Sequence, residues 1–262
     1  MNAIPMQLAA QTWWMTHRRL KVFIRQPAYL IITLVQPVIW LFLFGNLFRR
    51  IVELPGFGTT SYLDYLVPGV VVMNALSSNM WAGMGALEEI ERGTLNRFLV
   101  SPVSRGAISN ATVVEMALGT TIQSLIIVLL GWAAGADYEG GVAGVTVLVV
   151  VSVLLGTVFG ALSTAIGMLV RQRETIIGIN TFLLLPLTFL SSTFMAERLM
   201  PGWIQAVADY NPLNWAVRAG REALTADPDW ALVLRDAGLL LALAAVAVWL
   251  STRSVRAYQK SV

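Results

Sequence analysis

Three glutamates in one short stretch, Glu88, Glu89 and Glu91, are the first side chains whose spacing could support chemistry. Residues three apart share a helix face, so Glu88 and Glu91 could bind a metal ion or act as acids on a lipid substrate. No aspartate accompanies them on the side of the membrane that the topology below predicts, and the one histidine there, His17, stands among basic residues. A lipid-cleaving enzyme is therefore an alternative that lacks a complete set of metal ligands.

Glu115 is the one acidic residue close to a predicted hydrocarbon region. Counted from Ile108 it lies about two helical turns in, roughly 10 Å. A charge there costs less than the roughly 2.5 to 3.5 kcal/mol assigned to the centre of a span. Glu115 could carry a proton in a secondary transporter, contact a cargo, or pair with an arginine. The chain shows no inverted repeat, which weighs against a secondary transporter.

The remaining titratable residues exclude several other chemistries. His17 is the only histidine and stands among basic residues, which disfavours metal binding and base catalysis. Cysteine is absent, so thiolate catalysis, disulfides and cysteine-based zinc sites are excluded. A P-loop ends in Gly-Lys-Ser/Thr, but the only lysines, Lys21 and Lys260, do not follow a glycine. The sequence therefore predicts no metal, no cofactor and no catalytic residues in this chain.

The composition places these residues in a membrane protein. Apolar residues make up 56% of the chain and charged residues 13%, whereas soluble domains carry about 25% charge. The net charge of +3 is spread over short loops, so it indicates topology and not a nucleic-acid surface. Membrane lipid is the expected surrounding, and no nucleic-acid partner is predicted.

Six apolar segments are each long enough to cross a hydrocarbon core of about 30 Å as helices. They comprise residues 28–48, 66–87, 116–134, 142–170, 175–195 and 230–252. The basic and aromatic stretch 1–27 has the composition of a helix lying in the membrane interface. The outer segment 196–229 contains two short helix-like pieces that could re-enter the membrane. Together these segments predict a single all-α integral membrane domain over residues 1–262.

Prolines and caps predict several helix boundaries. Pro37 is expected to kink the first span. Pro201 precedes the first outer piece, and Asn211–Pro212 begins the second with a cap followed by a first-turn proline. Asp227–Pro228 is read in the same way as the start of the last helix.

Loop charges predict the orientation. With the N-terminus inside, the cytoplasmic segments contain most of the lysines and arginines and the outer segments most of the acids, as the positive-inside rule requires. An even number of spans places both termini in the cytoplasm. Arg49 and Arg50 are the exception, because they fall on the outer side.

Residues 88–105 join the second and third spans and hold the densest run of charge. Gly93 weakens the helical extension, Thr94 can cap a new turn, and Pro102 stops it. Turns between packed helices typically take about 2 to 8 residues, so this longer segment predicts a docking surface for another protein. Its apolar face consists of Leu95, Phe98 and Leu99. The candidate contact residues are Arg92, Thr94, Leu95, Asn96, Arg97, Phe98, Leu99, Ser101 and Pro102.

Polar residues inside spans should face protein or a water-filled cavity. Together with nearby aromatic residues they predict a mixed polar and aromatic cavity, for which the candidates are Asn74, Asn79, Trp81, Gln123, Phe182, Thr188 and Phe189. Asn180 has the same character. For any single residue the alternative is an ordinary hydrogen bond between helices. A row of small residues in the fourth span, Gly156, Gly160 and Thr164, predicts close helix packing.

The stretch ERGTL at Glu91–Leu95, followed by SPVSR at Ser101–Arg105, resembles the signature region of ABC-2 type permeases. These are the membrane subunits of bacterial ATP-binding cassette exporters, and the chain looks most like the daunorubicin-resistance type. The similarity extends over PLTFLSSTF at Pro186–Phe194, MPGW at Met200–Trp203 and NPLNWAVRAGR at Asn211–Arg221. Gly106 and Ala107 replace the charged residues that the family often has after SPVSR, so no charge contact is assumed there.

The resemblance implies a coupling helix over Thr94–Ser101, seated in a groove of a separate ATPase subunit that binds ATP and Mg. It also implies two ATPase copies, a second permease subunit that forms a homodimer, and a location in the bacterial inner membrane. The implied cargo is an amphipathic drug, a secondary metabolite or a lipid-like substrate. Polysaccharide or glycolipid export by the same fold is an alternative, and so is a proton-coupled transporter that uses Glu115.

Overall fold

A computed structural model describes residues 27–53, 61–93 and 105–260, with side chains over 32–53, 61–93 and 111–254. Every regular element in these ranges is a helix, which confirms the all-α prediction. The predicted interfacial helix lies outside the described residues, apart from its last residue, Pro27. Residues 94–104, which carry all the coupling candidates except Arg92, lie outside them as well.

The helices are numbered here in chain order. They are α1 Pro27–Ile39, a π-helical segment Trp40–Phe44, α2 Gly45–Leu47, α3 Tyr62–Met80, α4 Ala82–Glu91, α5 Arg105–Ala133, α6 Gly141–Val170, α7 Arg173–Phe189, α8 Gly202–Ala208, α9 Pro212–Glu222 and α10 Trp230–Lys260. Short 3₁₀ turns occupy Arg49–Glu53 and Glu197–Leu199.

Three helical stretches of the described residues are long and apolar enough to cross a membrane: Ala111–Ala133, Gly141–Val170 and Trp230–Ser254. A shorter apolar stretch covers Ile32–Leu47. These helices confirm a membrane protein, and the full count of six spans stays a prediction.

Helix α6 lies at the centre of the molecule. It packs against α10, α3, α5, α4 and α9. Half of its apolar window is buried inside the chain, against 28% for the windows in α5 and α10. This difference explains why small residues concentrate in α6, since a helix with neighbours on several sides has little room for large side chains.

Pro37 lies inside α1, and the helix changes to π geometry three residues later, at Trp40. Proline lacks an N–H group and its ring crowds the preceding turn, so a local change of the hydrogen-bond ladder relieves the mismatch. The aromatic rings of the π segment pack on the outer part of the molecule: Trp40 lies 4.4 Å from Phe44 and 5.0 Å from Phe194, measured between ring centroids.

The second apolar segment is two helices, so the predicted single helix 66–87 is wrong at this point. Helix α3 begins at Tyr62, where the Ser61 hydroxyl accepts the Leu63 N–H at 3.2 Å, and it ends at Met80. Trp81 interrupts the ladder before α4 begins. The helix can break here because side chains of α6 and α7 form hydrogen bonds with the backbone of Met80 and Gly83, as described below.

Two other predicted boundaries need correction. Helix α7 ends at Phe189 and not at residue 195, because Asn211 donates to the free carbonyls of Leu187 and Leu190 at 2.8 Å. Helix α10 begins at Trp230. Its cap is Asp229, whose carboxylate accepts the N–H groups of the second and third helical residues at 2.9 and 3.2 Å, and not Asp227.

Candidate functional site

Three of the predicted cavity residues meet between helices. The Asn74 amide donates to the Gln123 side-chain oxygen at 2.8 Å, and the Asn79 amide donates to the Thr120 hydroxyl at 2.8 Å. The Gln123 amide in turn reaches the Thr33 hydroxyl at 3.5 Å. These bonds join α3, α5 and α1. The three predicted residues are buried, so in this chain each takes part in hydrogen bonding between helices, worth about 0.6 kcal/mol per bond.

The other four cavity candidates lie elsewhere. The aromatic side chains of Trp81, Phe182 and Phe189 are exposed by 44%, 76% and 61%. Thr188 is buried, and its hydroxyl has no hydrogen-bond partner in the part of the chain that the structure describes. The structure therefore gathers Asn74, Asn79 and Gln123 but leaves the aromatic residues on the surface. A common cavity stays a prediction.

The break at Trp81 is held by two residues from other helices. Asn180 on α7 donates to the Met80 carbonyl at 2.7 Å, and the Ser163 hydroxyl on α6 donates to the same oxygen. Ser163 also accepts the Gly83 N–H at 3.0 Å. Side chains thus pair the backbone N–H and carbonyl groups that the interrupted helix leaves free. A buried helix break requires such pairing.

Close packing surrounds this break. A Cβ atom on Gly156 would lie 2.6 Å from the Asn79 amide nitrogen, and one on Gly160 would lie 2.5 Å from the Met116 sulfur. Thr164, the third member of the predicted row, is buried and donates to the Gly160 carbonyl at 2.8 Å. The two glycines of the row therefore face Asn79 on α3 and Met116 on α5 so closely that a Cβ atom would displace those side chains.

A stripe of four polar residues along α9 organises the end of the molecule that the topology predicted from the sequence places outside, called here the outer end. Asn211, Asn214, Arg218 and Arg221 follow one another at spacings of three, four and three residues, which is one face of a helix. The Asn211 side chain caps α9 by accepting the Leu213 N–H at 3.0 Å, as its sequence predicted. The amide of the same side chain donates to the end of α7, so one residue joins two elements.

Asn214 joins α9 to the segment after α7. Its oxygen accepts the backbone N–H of Ser192 at 2.8 Å and the Ser192 hydroxyl at 2.7 Å. Its amide donates to the Glu197 carboxylate at 2.7 Å. Asn214 is fully buried, and these three bonds satisfy its oxygen and half of its amide donors.

Arg221 connects α9 to α3 without a carboxylate. Its guanidinium carbon lies 3.6 Å from the centroid of the Tyr65 ring, and it donates to the carbonyls of Tyr65 and Ser192 at 3.2 and 3.0 Å. Desolvation by burial lowers the pKa of Arg221, although electrostatic interactions with Tyr65 and Glu197 oppose this. Arginine remains charged in proteins, so a cation is fixed beside the tyrosine.

Arg218 forms an ion pair with Asp236 on α10. The two side chains form a bidentate pair with N–O distances of 2.7 and 3.1 Å. Asp236 is fully buried, Arg218 is 19% exposed, and Arg235 adds a contact of 2.9 Å. Desolvation opposes the charge on Arg218, but the hydrogen bonds to Asp236 outweigh it and raise the pKa of Arg218. Arg218 thus supplies the partner that the burial of Asp236 requires.

At the other end of the molecule, arginines engage two of the three clustered glutamates. Arg92, the one coupling candidate in the described residues, contacts Glu88 at 3.2 Å. Arg173 on α7 forms a double contact with Glu91. The hydrogen bond from Arg173 is the main reason that the pKa of Glu91 is lowered. These pairings leave Glu88 and Glu91 poor candidates for metal ligands.

Local sequence offers little signal for these partners. The stripe Asn211, Asn214, Arg218 and Arg221 could have been recognised from its helical spacing. Ser163 and Arg173 could not, because nothing near them in sequence points to α4.

Comparison with known proteins identifies the class. A family model described as ABC-2 type transporter matches residues 10–225. The chain belongs to this family, whose members are the permease subunits of ATP-binding cassette transporters, and the resemblance inferred from its motifs is confirmed.

Among its relatives is the "Daunorubicin resistance ABC transporter permease protein DrrB1" of Streptomyces coeruleorubidus, 28% identical over 92% of this chain and 83% of the relative. The "Probable doxorubicin resistance ABC transporter permease protein DrrC" of Mycobacterium tuberculosis is 24% identical over 81% of this chain and 76% of its own length. The "Inner membrane transport permease YadH" of Escherichia coli is 25% identical over 78% and 77%.

Proposed function

We propose that this chain forms the translocation pathway of an exporter in the bacterial inner membrane and that a separate ATPase subunit drives it. Two permease copies pair with two ATPase copies, and the ATPase binds ATP and Mg. The observation that carries the proposal is the family match over residues 10–225, since this range contains the coupling segment and the outer motifs. In this arrangement the permease has no nucleotide site and no catalytic role of its own.

The proposed topology has six spans with both termini in the cytoplasm. Helices α5, α6 and α10 supply three long spans. The first span is α1 with its π segment and α2, the second is α3 together with α4, and the fifth is α7. The helix breaks at Trp81 and after Phe189 are compatible with a membrane, because side chains satisfy the backbone groups that the breaks leave free.

An amphipathic cargo suits the exposed residues of α7. Phe182 and Phe189 present aromatic rings at the surface of a single chain, and Thr188 between them has a buried hydroxyl without a partner in the described residues. In a homodimer these groups, with Trp81, would line a path between the two copies. The names of two relatives, which refer to daunorubicin and doxorubicin resistance, support this cargo class.

The first experiment tests the partner. The permease is coexpressed with the ATPase of its host and purified through a tag on the permease, as wild type, Phe98→Glu and Leu99→Glu. A carboxylate on the apolar face is expected to release the ATPase, because a charge cannot enter an apolar groove without a partner. Ala107→Glu adds the same charge outside the candidate contact residues and serves as the matched control.

The expected result is ATPase in the wild-type and Ala107→Glu samples and its loss from the other two, with unchanged gel-filtration profiles of the permease. Retention of the ATPase by Phe98→Glu and Leu99→Glu, with undiminished ATP hydrolysis, would overturn the proposed docking surface. A wild-type permease that never recovers an ATPase would overturn the function itself.

A further inference from the structure

We propose that Arg173 is a positioning residue for the coupling segment: through Glu91 it joins the inner end of α4 to α7, so that movement of residues 94–104 reaches α7. The inference rests on the proposed function, because it requires an ATPase that moves this segment. Arg173 is far from the docking surface in sequence, yet the transfer of that movement to α7 depends on it.

The pair lies where two helices meet. Glu91 is the last residue of α4, and Arg173 is the first residue of α7. Arg173 donates from Nε to one carboxylate oxygen at 3.3 Å and from Nη2 to the other. Such a two-point contact between planar groups fixes their relative orientation better than a single hydrogen bond does. Glu91, the last carboxylate before residues 94–104, is therefore tied to the proposed fifth span.

The turn that carries Arg173 has a fixed shape. Only Arg171 and Gln172 separate α6 from α7. Arg171 has φ of 56°, in the left-handed region that side-chain-bearing residues rarely adopt, and its N–H donates to the Gly167 carbonyl at 3.2 Å. Arg173 is therefore the first residue at which α7 can move relative to α6, and strained backbone of the kind found at Arg171 is often found at functional sites.

The outer end of α4 is held against the same helix. The Gly83 N–H donates to Ser163, and a Cβ atom on Gly83 would lie 2.3 Å from the Ser163 carbonyl oxygen. A Cβ atom on Gly167 would lie 2.4 Å from the Gly83 carbonyl oxygen. The backbones of α4 and α6 thus touch at this point, which leaves no room for α4 to shift there without breaking the contact.

The two ends of α4 differ in how easily they can move. At Gly83 the contact is buried and backbone to backbone, whereas Glu91 and Arg173 are each 46% exposed. Exposed ion pairs contribute little to stability, so their function is better sought in geometry. Since α4 is a separate helix that starts after the break at Trp81, it can turn about Gly83 and carry α7 along through Arg173.

The charged residues next to Glu91 and Arg173 do not replace either member of the pair in the part of the chain that the structure describes. Arg92 is engaged by Glu88, and Glu174 follows Arg173 on α7 without an ion pair in the described residues. Reversal of one member, Glu91→Arg or Arg173→Glu, places like charges in contact. The exchange Glu91→Arg with Arg173→Glu restores opposite charges with the positions swapped.

The test measures the distance between α4 and α7 in the assembled complex. Spin labels are placed at Glu89→Cys, a partly exposed position near the Glu91 end of α4, and at Gly178→Cys, where a Cβ atom meets nothing within 4 Å. The chain has no natural cysteine. The permease is labelled before it is combined with the ATPase. Distances are recorded without nucleotide and after trapping with ATP and vanadate, together with the rate of ATP hydrolysis.

With the native pair, the two labels are expected to keep their separation on trapping, because α4 and α7 move together. Arg173→Glu is expected to change or broaden that separation and to reduce ATP hydrolysis by at least about fivefold, the low end of coupling between sites. The charge exchange is expected to restore both. Melting temperatures should stay close to that of the wild type in all variants.

Two results would overturn the inference while leaving the proposed function intact: a complex that hydrolyses ATP normally with Arg173→Glu, or a charge exchange that fails to restore the separation. A wild-type permease that does not assemble with the ATPase removes the proposed function and the inference together. If Arg173→Glu shows no melting transition, Arg173→Gln is used in its place. It is expected to change the label separation and the rate of ATP hydrolysis in the same direction but by less.

Discussion

The outer and inner ends of this permease are held together by different kinds of contact. At the outer end, the stripe on α9 uses a buried ion pair, a buried amide and a cation stacked on a tyrosine. At the inner end, α4 and α7 are joined by an exposed ion pair. Buried polar networks are costly to break, whereas exposed pairs are not. The difference indicates a rigid outer layer and an inner layer that can rearrange.

The largest loss of stability is expected at Arg218, in the outer network. Replacing it with alanine leaves Asp236 buried without its bidentate partner, which is expected to cost about 3 to 5 kcal/mol. Thermal unfolding of the purified permease in detergent measures the loss. Asp209→Ala is the matched control, since Asp209 contacts Arg218 at 3.5 Å but is 65% exposed. An equal loss in both variants would mean that the outer pair is no stronger than a surface contact.

A second test separates the two roles of Asn211. Asn211→Ala removes the cap of α9 and both bonds to α7, with an expected cost of about 3 kcal/mol from contributions of about 1 kcal/mol each. Asn211→Asp keeps the capping oxygen but loses the donor, so it should retain part of the stability. The free energy of unfolding in denaturant distinguishes them. If Asn211→Asp is as stable as the wild type, the bonds to the Leu187 and Leu190 carbonyls contribute nothing, and if it loses as much as Asn211→Ala, the cap contributes nothing.

A third test concerns the contact between α4 and α6. Gly83→Ala introduces a methyl group against the Ser163 backbone, and overpacking of this kind costs about 1 to 3 kcal/mol. Gly85→Ala, two residues away in the same helix, meets open space and is expected to stabilise the helix by about 0.5 to 1 kcal/mol. Unfolding midpoints of the two variants should move in opposite directions. Parallel shifts would show that the close approach at Gly83 is not a fixed contact.

Several of these features could be predicted from sequence because their cause is local. Asn211–Pro212 begins a helix with its own side chain and ring, so the pattern predicted that boundary. The small residues of α6 indicated close packing because their spacing matches a helix face. The stripe from Asn211 to Arg221 likewise follows the spacing of one helix face.

Other features depend on residues that are remote in sequence. The break at Trp81 exists because Ser163 and Asn180 supply hydrogen bonds from other helices, and a continuous apolar run gives no sign of it. The burial of Asp236 has no local sign either, since its partner Arg218 becomes evident only after α9 packs on α10. The last helix had two aspartates available as caps, and which one serves depends on the path of the preceding turn.

The smallest expected effect is the pH dependence of the inner pair. The pKa of Glu91 is lowered in the folded chain, chiefly by the hydrogen bond from Arg173. The pair therefore contributes above the unfolded carboxyl value of about 4.3, and the contribution is lost as pH falls through the lower folded value. The melting temperature of the wild type should exceed that of Glu91→Gln slightly at pH 7, and the difference should vanish in acid. A difference that persists below the folded pKa would show that Glu91 acts through packing and not through its charge, and the inner end would then resemble the outer one.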